Sequence, residues 1–345
     1  MAHVRLTIAL DANGADAGPA EVARGAALAA QTGVRVLLFG PAADMEPAPD
    51  VDVVDAPVSI AKAADPARAV RGTPQASIVQ AVRAVAEGRA DALVSGGSTG
   101  AALAAALFTI KRAPGIHRPA LAVLVPVPGK PFLLLDCGAN VAVRPEHLVQ
   151  FAHMGAAFME VVMGVERPRV ALLANGSEPT KGTEDVVAAH AELAGAPGLE
   201  FAGNVEGFAI GAGAADVIVA DGFTGNVALK VMEGTADALL RAVREAATSS
   251  PRAKLGGLLL RPSLRGLRDA IDPEAQGGAF LLGLRRLAVV PHGSFGARGI
   301  ARAIDLAGRG VRADVAGRTH ERLAAAGALR RTADLSAAAA TVPDP

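Results

Sequence analysis

Tryptophan and tyrosine are missing from this sequence, aromatic residues make up only 3% of it, and one cysteine stands among 345 residues. A lone Cys137 excludes an internal disulfide, and no charged-then-apolar leader is seen, so a cytoplasmic location is expected. No stretch approaches the roughly 18 uninterrupted apolar residues that span a bilayer, which restricts any membrane contact to a peripheral one. Charge of one sign is not in excess either: 34 basic residues balance 34 acidic ones. Without a global positive field, nucleic acid is not expected as a partner, and any anion site has to be local. There is no H-E-x-x-H, no paired C-x-x-C, no G-x-S-x-G, no Walker loop and no G-x-G-x-x-G. Zinc and serine hydrolysis are therefore unsupported, and neither a metal nor a cofactor is expected. The scarcity of aromatics, beside abundant Ala and Arg, reads as codon usage rather than function.

What is present is aliphatic. Hydrophobic residues reach 51% and charged residues 20%, ample for a large core. Short runs rich in Val, Leu and Ile recur at 4–10, 34–39, 91–95, 119–126, 131–135, 169–174, 216–219 and 287–291, bounded by Gly, Asp or Pro, and read as buried strands. Helical stretches lie between them, with Pro19 and Gly33 marking the ends of one and Pro74 and Gly88 those of another. Alternation of this kind predicts an α/β fold with three αβα layers and a mostly parallel sheet. Residues 223–272 break the pattern with two long helical segments and predict a projecting helical hairpin. No repeat or linker divides the chain, so one continuous unit is expected over 1–335, with a loose tail at 336–345.

In such a sheet ligands bind where strands end and helices begin, because main-chain N–H groups and the helix dipole favour anions there. Five strand ends carry chemistry. The first reads from Leu10 through Asp11, Asn13, Gly14 and Asp16 to Gly18, directly before Pro19. The second is Ser95-Gly96-Gly97-Ser98-Thr99-Gly100, small hydroxyl residues and glycines that suit a phosphate. The third is Asp136-Cys137-Gly138-Ala139-Asn140. The fourth is Asn175-Gly176-Ser177-Glu178 followed by Lys181, and the fifth is Asp221-Gly222-Phe223-Thr224-Gly225-Asn226, leading into a helix that bears Lys230. Asp16 equally suits a plain helix cap. Cys137 has no basic neighbour in sequence to lower its pKa and reads as a small core residue. His147 reads as packed or solvated, and His292, at the end of the last apolar strand, is better placed.

Taken in order, L-D-A-N-G-A-D, S-G-G-S-T-G-A, P-G-I-H-R-P-A, L-L-D-C-G-A-N-V, E-H-L-V-Q-F-A-x-M-G, G-N-V-E-G, D-G-F-T-G-N-V-A-L-K and G-G-A-F-L-L-G resemble the bacterial phosphate acyltransferases of glycerolipid synthesis, the PlsX family, over about residues 5–310. The resemblance implies a fold like the isocitrate and isopropylmalate dehydrogenases, a homodimer, and transfer of a fatty acyl group from acyl-acyl carrier protein to inorganic phosphate. On this reading the Ser95–Gly100 and Asp221–Asn226 loops, with Lys181 and Arg118, hold the phosphate and carbonyl oxygens. Asp11, Asp16, Asp136 and Asn140 orient those loops, His292 is a proton carrier, and Glu178, Glu206 and Lys230 complete the substrate-binding set.

The sequence departs from the family pattern at several points. Asn13 and Ala15 alter the usual D-A-M-G-G-D, and Ser98 replaces an Asn. The segment Arg71–Ser77 lacks a usual pair of lysines. Ala142 and Ala174 replace a common Asp and Asn, and Phe295 ends the usual H-G-S-S. Residues 254–271 combine clustered leucines with four cations, which suits either a lipid interface or packing against a partner subunit. The rival readings are a coenzyme A-dependent phosphotransacylase, a catalytically silent homologue that binds carrier protein and, third, a decarboxylating dehydrogenase of the related fold.

Overall fold

The computed structural model describes residues 5–330; the expected tail at 336–345 lies outside them. Eleven strands form one sheet. The first half of the chain supplies β1 (Thr7–Asp11), β2 (Arg35–Gly40), β3 (Val51–Asp55), β4 (Ala92–Ser95), β5 (Ala120–Val125) and β6 (Phe132–Leu135). The second half supplies β7 (Arg169–Leu173), β8 (Glu200–Val205), β9 (Val217–Val219), β10 (Ala279–Leu282) and β11 (Leu287–Val290). Their spatial order is β3-β2-β1-β4-β11-β10-β5-β6-β9-β7-β8.

Most neighbours are parallel, but β10 runs antiparallel to both β11 and β5, and β5 runs antiparallel to β6. The strands from β3 to β11 therefore point one way, and those from β6 to β8 point the other. Strand ends at Asp11, Ser95 and Val290 gather at what we term the first edge of the sheet. Those at Leu135, Leu173, Val205 and Val219 gather at the second, opposite edge. Three of the strands, β3, β8 and β10, fall outside the expected apolar runs. β3 and β8 are the outermost strands and are only partly buried, and β10 is a four-residue segment set between glycines.

Helices cover both faces. Residues alternate along each strand, so Ile8 and Leu10 pack into one layer and Ala9 into the other. The first layer holds α1 (Pro19–Ala30), α5 (Pro145–Met163) and α6 (Glu184–Leu193), with α10 (Ala297–Arg312) and α11 (Val315–Ala325). The second holds α2 (Pro66–Gly72), α3 (Ser77–Ala86) and α4 (Thr99–Thr109). A hairpin follows β9, made of α7 (Gly222–Thr248) and α8 (Pro251–Ala270), and α9 (Pro273–Gln276) leads from it into β10. None of the residues of α8 is buried. No helix among the described residues is long and apolar enough to cross a membrane.

Small residues give this core its density. A Cβ added at Gly25 of α1 would sit 2.6 Å from Ile300 of α10, so the two helices approach as closely as glycine allows. The few large rings are used at the centre, where Phe158 of α5 meets Phe280 of β10 edge-on with centroids 4.7 Å apart. Both are at most 2% exposed. Phe158→Ala is expected to destabilise the protein by about 3–5 kcal/mol, read as a lower denaturant midpoint with an unchanged slope.

Candidate active site

At the first edge everything converges on Asp11, which is 3% exposed. Its Oδ1 accepts the Ser77 hydroxyl at 2.6 Å and the Asn13 N–H at 3.3 Å, and its Oδ2 accepts the Ser95 hydroxyl at 2.8 Å. Asn13 Nδ2 in turn donates to Ser77 Oγ at 3.0 Å and to the Ala56 carbonyl at 3.1 Å. This buried network ties β1, β4, α3 and the segment after β3 into one unit. Gly14 has φ +96°, and a Cβ there would come within 2.9 Å of Gly97 Cα, so the first two loops touch through their glycines. The Asp16 N–H donates to the Gly293 carbonyl at 2.8 Å, which brings the His292 turn alongside. His292 Nδ1 in that turn lies 2.8 Å from Ser294 Oγ. Ser98 caps α4 by accepting the Ala101 N–H at 3.4 Å. Thr99 and Gly100 open the helix, where N–H groups have no carbonyl one turn back.

Asp136 organises the second edge. It is fully buried, and its carboxylate accepts four bonds: Leu121 N–H at 2.9 Å, Ala139 N–H at 3.0 Å, and Asn140 N–H and Nδ2 at 2.6 and 2.8 Å. Burial pushes its pKa up, against the pull of these donors. The Asn140 carbonyl accepts the Gly222 N–H at 2.7 Å, and a Cβ at Gly225 would fall 2.0 Å from the Asp136 carbonyl oxygen. The first turn of α7 therefore rests directly on the end of β6.

Asp221 caps that turn. Its Oδ1 accepts Phe223 N–H at 2.9 Å and Thr224 N–H at 2.8 Å, while Gly225 N–H donates to the Asp221 carbonyl at 2.9 Å. With its backbone donors used, α7 offers a ligand the Thr224 hydroxyl and the Asn226 amide rather than an open cradle of N–H groups. Lys181 stands on the loop after β7, a strand that pairs with β9, and its carbonyl lies 3.4 Å from Asn204 Nδ2 of β8. It is exposed and makes no ion pair among the described residues. The Glu178 carbonyl of that loop accepts Asn204 Nδ2 at 2.8 Å, and Glu206 follows β8 at the same edge. Lys230 lies further along α7 and pairs with Glu233 at 2.7 Å.

The predicted residues thus fall into two groups. Asp11, Gly14, Asp16, Ser95, Gly97, Ser98, Thr99, Gly100 and His292 gather at the first edge. Arg118, Asp136, Asn140, Glu178, Lys181, Glu206, Asp221, Gly222, Thr224, Gly225 and Asn226 gather at the second. Between them runs α4, 11 residues and about 16 Å long. The structure does not bring the Ser95–Gly100 and Asp221–Asn226 loops to one phosphate ion within a single chain, because the reversal of strand direction between β5 and β6 sends them to opposite edges.

At the far end of α4 lies a cleft of about 730 Å³ that contains Arg118 and Asn140. Three further guanidiniums line it, Arg112, Arg144 and Arg330, none of which stood out in the sequence. Burial, then the charges of Arg118 and Arg330, lower the Arg112 pKa. Part of the lining is apolar, supplied by Leu103, Leu107 and Phe108 of α4. The Arg71 guanidinium stacks over the Phe108 ring at 4.5 Å, so the segment that departs from the family pattern abuts this end of α4.

His117, Glu146 and His147 offer ligand atoms within 4.8 Å of one another in the same cleft. His147 Nδ1 already accepts the Arg144 N–H at 3.2 Å, and burial lowers its pKa. With one ring nitrogen so used and four guanidiniums around it, the cleft is built for an anion rather than a divalent cation. Cys137 is buried and its thiol is pushed up, chiefly by burial, which leaves it no nucleophilic character.

A family model described as fatty acid synthesis protein matches residues 6–318. A protein from Heliobacterium modesticaldum named phosphate acyltransferase is 46% identical over 316 residues, which cover 89% of this chain and 94% of that protein. Among solved structures, a phosphotransacetylase from Streptococcus pyogenes superposes with TM-score 0.58 at 18% identity, covering 90% of this chain and 94% of that one. A 4-hydroxythreonine-4-phosphate dehydrogenase from Klebsiella pneumoniae superposes with TM-score 0.52 at 15% identity, covering 89% and 99%. At such identities these two show a shared fold, in agreement with the dehydrogenase-like α/β architecture expected from the sequence.

Burial raises the Asp11 pKa from 3.8 to about 6, against the three hydrogen bonds that lower it. Folding therefore takes up a proton between pH 4 and 6, so this group makes the protein less stable as pH rises through that window, by about 3 kcal/mol in all. Urea midpoints recorded across it are expected to show that slope in the wild type and not in Asp11→Asn. Identical pH profiles for the two proteins would remove Asp11 as its source.

Proposed function

The chain belongs to the phosphate acyltransferase family and is an acyltransferase, and from that premise we propose that it moves a fatty acyl group from acyl carrier protein to inorganic phosphate at the second edge. A phosphate oxygen attacks the thioester carbonyl, the carbon–sulfur bond breaks, and the proton of hydrogen phosphate passes to the departing sulfur. The products are acyl-phosphate and the free carrier thiol. Because the acceptor brings its own proton, the step needs no separate base. What it needs is an acceptor held in line and donors for the carbonyl oxygen as charge develops on it.

One observation carries the assignment of residues. The loops bearing Lys181 and Asn226 follow adjacent strands, and Asp136 and Asn140 fix the ground beneath the start of α7. Lys181 and Arg118 supply positive charge for phosphate, and the Asn226 amide and Thr224 hydroxyl supply neutral donors for the carbonyl. Asp221 serves as the cap that holds those two side chains in place. His292, at the first edge, takes no part in this step.

The hairpin supports two further parts of the reading. Phe223, Val227 and Val231 form an exposed apolar stripe along α7, which a second copy of the chain covers in a homodimer. Leu255, Leu258 and Leu259 of α8 are exposed beside Arg261 and Arg265, a pattern that suits anionic lipid. Vesicles containing anionic lipid are expected to pellet the wild type at low salt and to leave Leu258→Ser/Leu259→Ser in the supernatant; failure to pellet the wild type would end the lipid reading.

With palmitoyl-acyl carrier protein and phosphate, hydroxylamine is expected to trap a phosphate-dependent hydroxamate. Lys181→Ala is expected to lower its rate by at least about a hundredfold. Faster turnover of palmitoyl-coenzyme A would reassign the donor. A folded protein inactive with both donors would be a silent binding homologue.

A further inference from the structure

Clustered guanidiniums repel one another, and an arrangement that brings Arg112, Arg118 and Arg330 close enough to act on one another is relieved when an anion sits among them. Arg144 lines the same cleft, its own nearest carboxylate, Glu146, lying 3.8 Å away. A free phosphate ion satisfies the charge but makes no use of the apolar part of the lining. There the half-buried Leu103 and Leu107, spaced one turn apart on a helix with no charged residue, face the same space. A site lined by both guanidiniums and aliphatic side chains matches an amphiphile.

We propose that this cleft holds a phosphate group joined to an apolar chain, the head among Arg112, Arg118 and Arg144 and the chain along Leu103 and Leu107 of α4. Two ligands of the proposed reaction share that chemistry, the acyl-phosphate product and the phosphopantetheine arm of an acylated carrier. The proposal rests on the assignment of acyl transfer to the second edge. It adds that α4 is the surface against which the acyl chain is measured.

Calorimetric titration of the full chain with alkylphosphonates of increasing length tests this, with inorganic phosphate and an alkyl-trimethylammonium salt as controls. Affinity is expected to rise with each methylene, by up to about fourfold per step, and the cationic control is expected not to bind. Leu107→Asn should lower octylphosphonate affinity about tenfold and leave inorganic phosphate unchanged. Arg144→Gln, at an exposed side chain, should weaken both, and melting curves confirm that each variant is folded. S-octanoyl-pantetheine 4′-phosphate, titrated alongside, separates the sources: tighter binding assigns the cleft to the donor, weaker binding to the product. Octylphosphonate no tighter than phosphate, or unaffected by both substitutions, overturns the proposal even where hydroxamate is formed. Binding that responds as described in a protein forming no hydroxamate keeps the cleft and dismisses the acyl-transfer reading.

Discussion

The antiparallel strands at the middle of the sheet set the frame for everything else. β10 is four residues long and lies between β11 and β5, opposed to both. It is entered through Gly277 and Gly278, at φ +82° and +115°, and left through Gly283 at +86°. A Cβ at Gly278 would fall 2.7 Å from Pro291 Cα, so this passage is open to glycine and closed to bulkier residues. Because β10 opposes both neighbours, β11 and β5 run the same way; the sheet turns over where β5 meets β6, and that junction decides which loops share an edge. It parts the Asp11 network from the Asp136 network and leaves α4 as the element that reaches from one to the other.

That reversal shows where the sequence is legible and where it is not. Eight apolar runs mark eight strands, because a strand buried on both faces must be continuously apolar. The outermost strands announce themselves less: Val51–Asp55 alternates with aspartate, and Glu200–Val205 holds a glycine and an asparagine. Strand direction leaves no local trace, so the loops could be identified as polar strand ends without being sorted between edges. The cleft was hidden for a related reason. Its arginines are spread from position 112 to position 330, and only the fold shows that they share a cleft with α4. Ser77, which closes the network around Asp11, is an ordinary serine at a helix start until β1 and β4 are placed beside it.

Carboxylates do most of the positioning in both networks, and neither Asp11 nor Asp136 is aimed at a ligand. Each is buried and saturated with donors from its own chain. Asp221 does the same at the helix start, spending the backbone N–H groups that a phosphate loop would otherwise present. In this chain these positions build rigid ground, and on the proposed reading the groups left to meet a substrate are the ones that stand on it: Lys181, Asn226, Thr224 and the arginines.

α4 has one more property. It begins at the Ser98 cap beside the Asp11 network and ends beside the guanidiniums of the cleft, with no charged side chain in between. Its aligned peptide dipoles place partial positive charge at the first edge and partial negative charge at the second. The clustered arginines thus face the carbonyl end of the helix, which eases their mutual repulsion. An anion entering the cleft meets that same carbonyl end with the opposite sign, so α4 holds the guanidiniums together while working against over-tight retention of the anion they attract, a balance that favours turnover over storage.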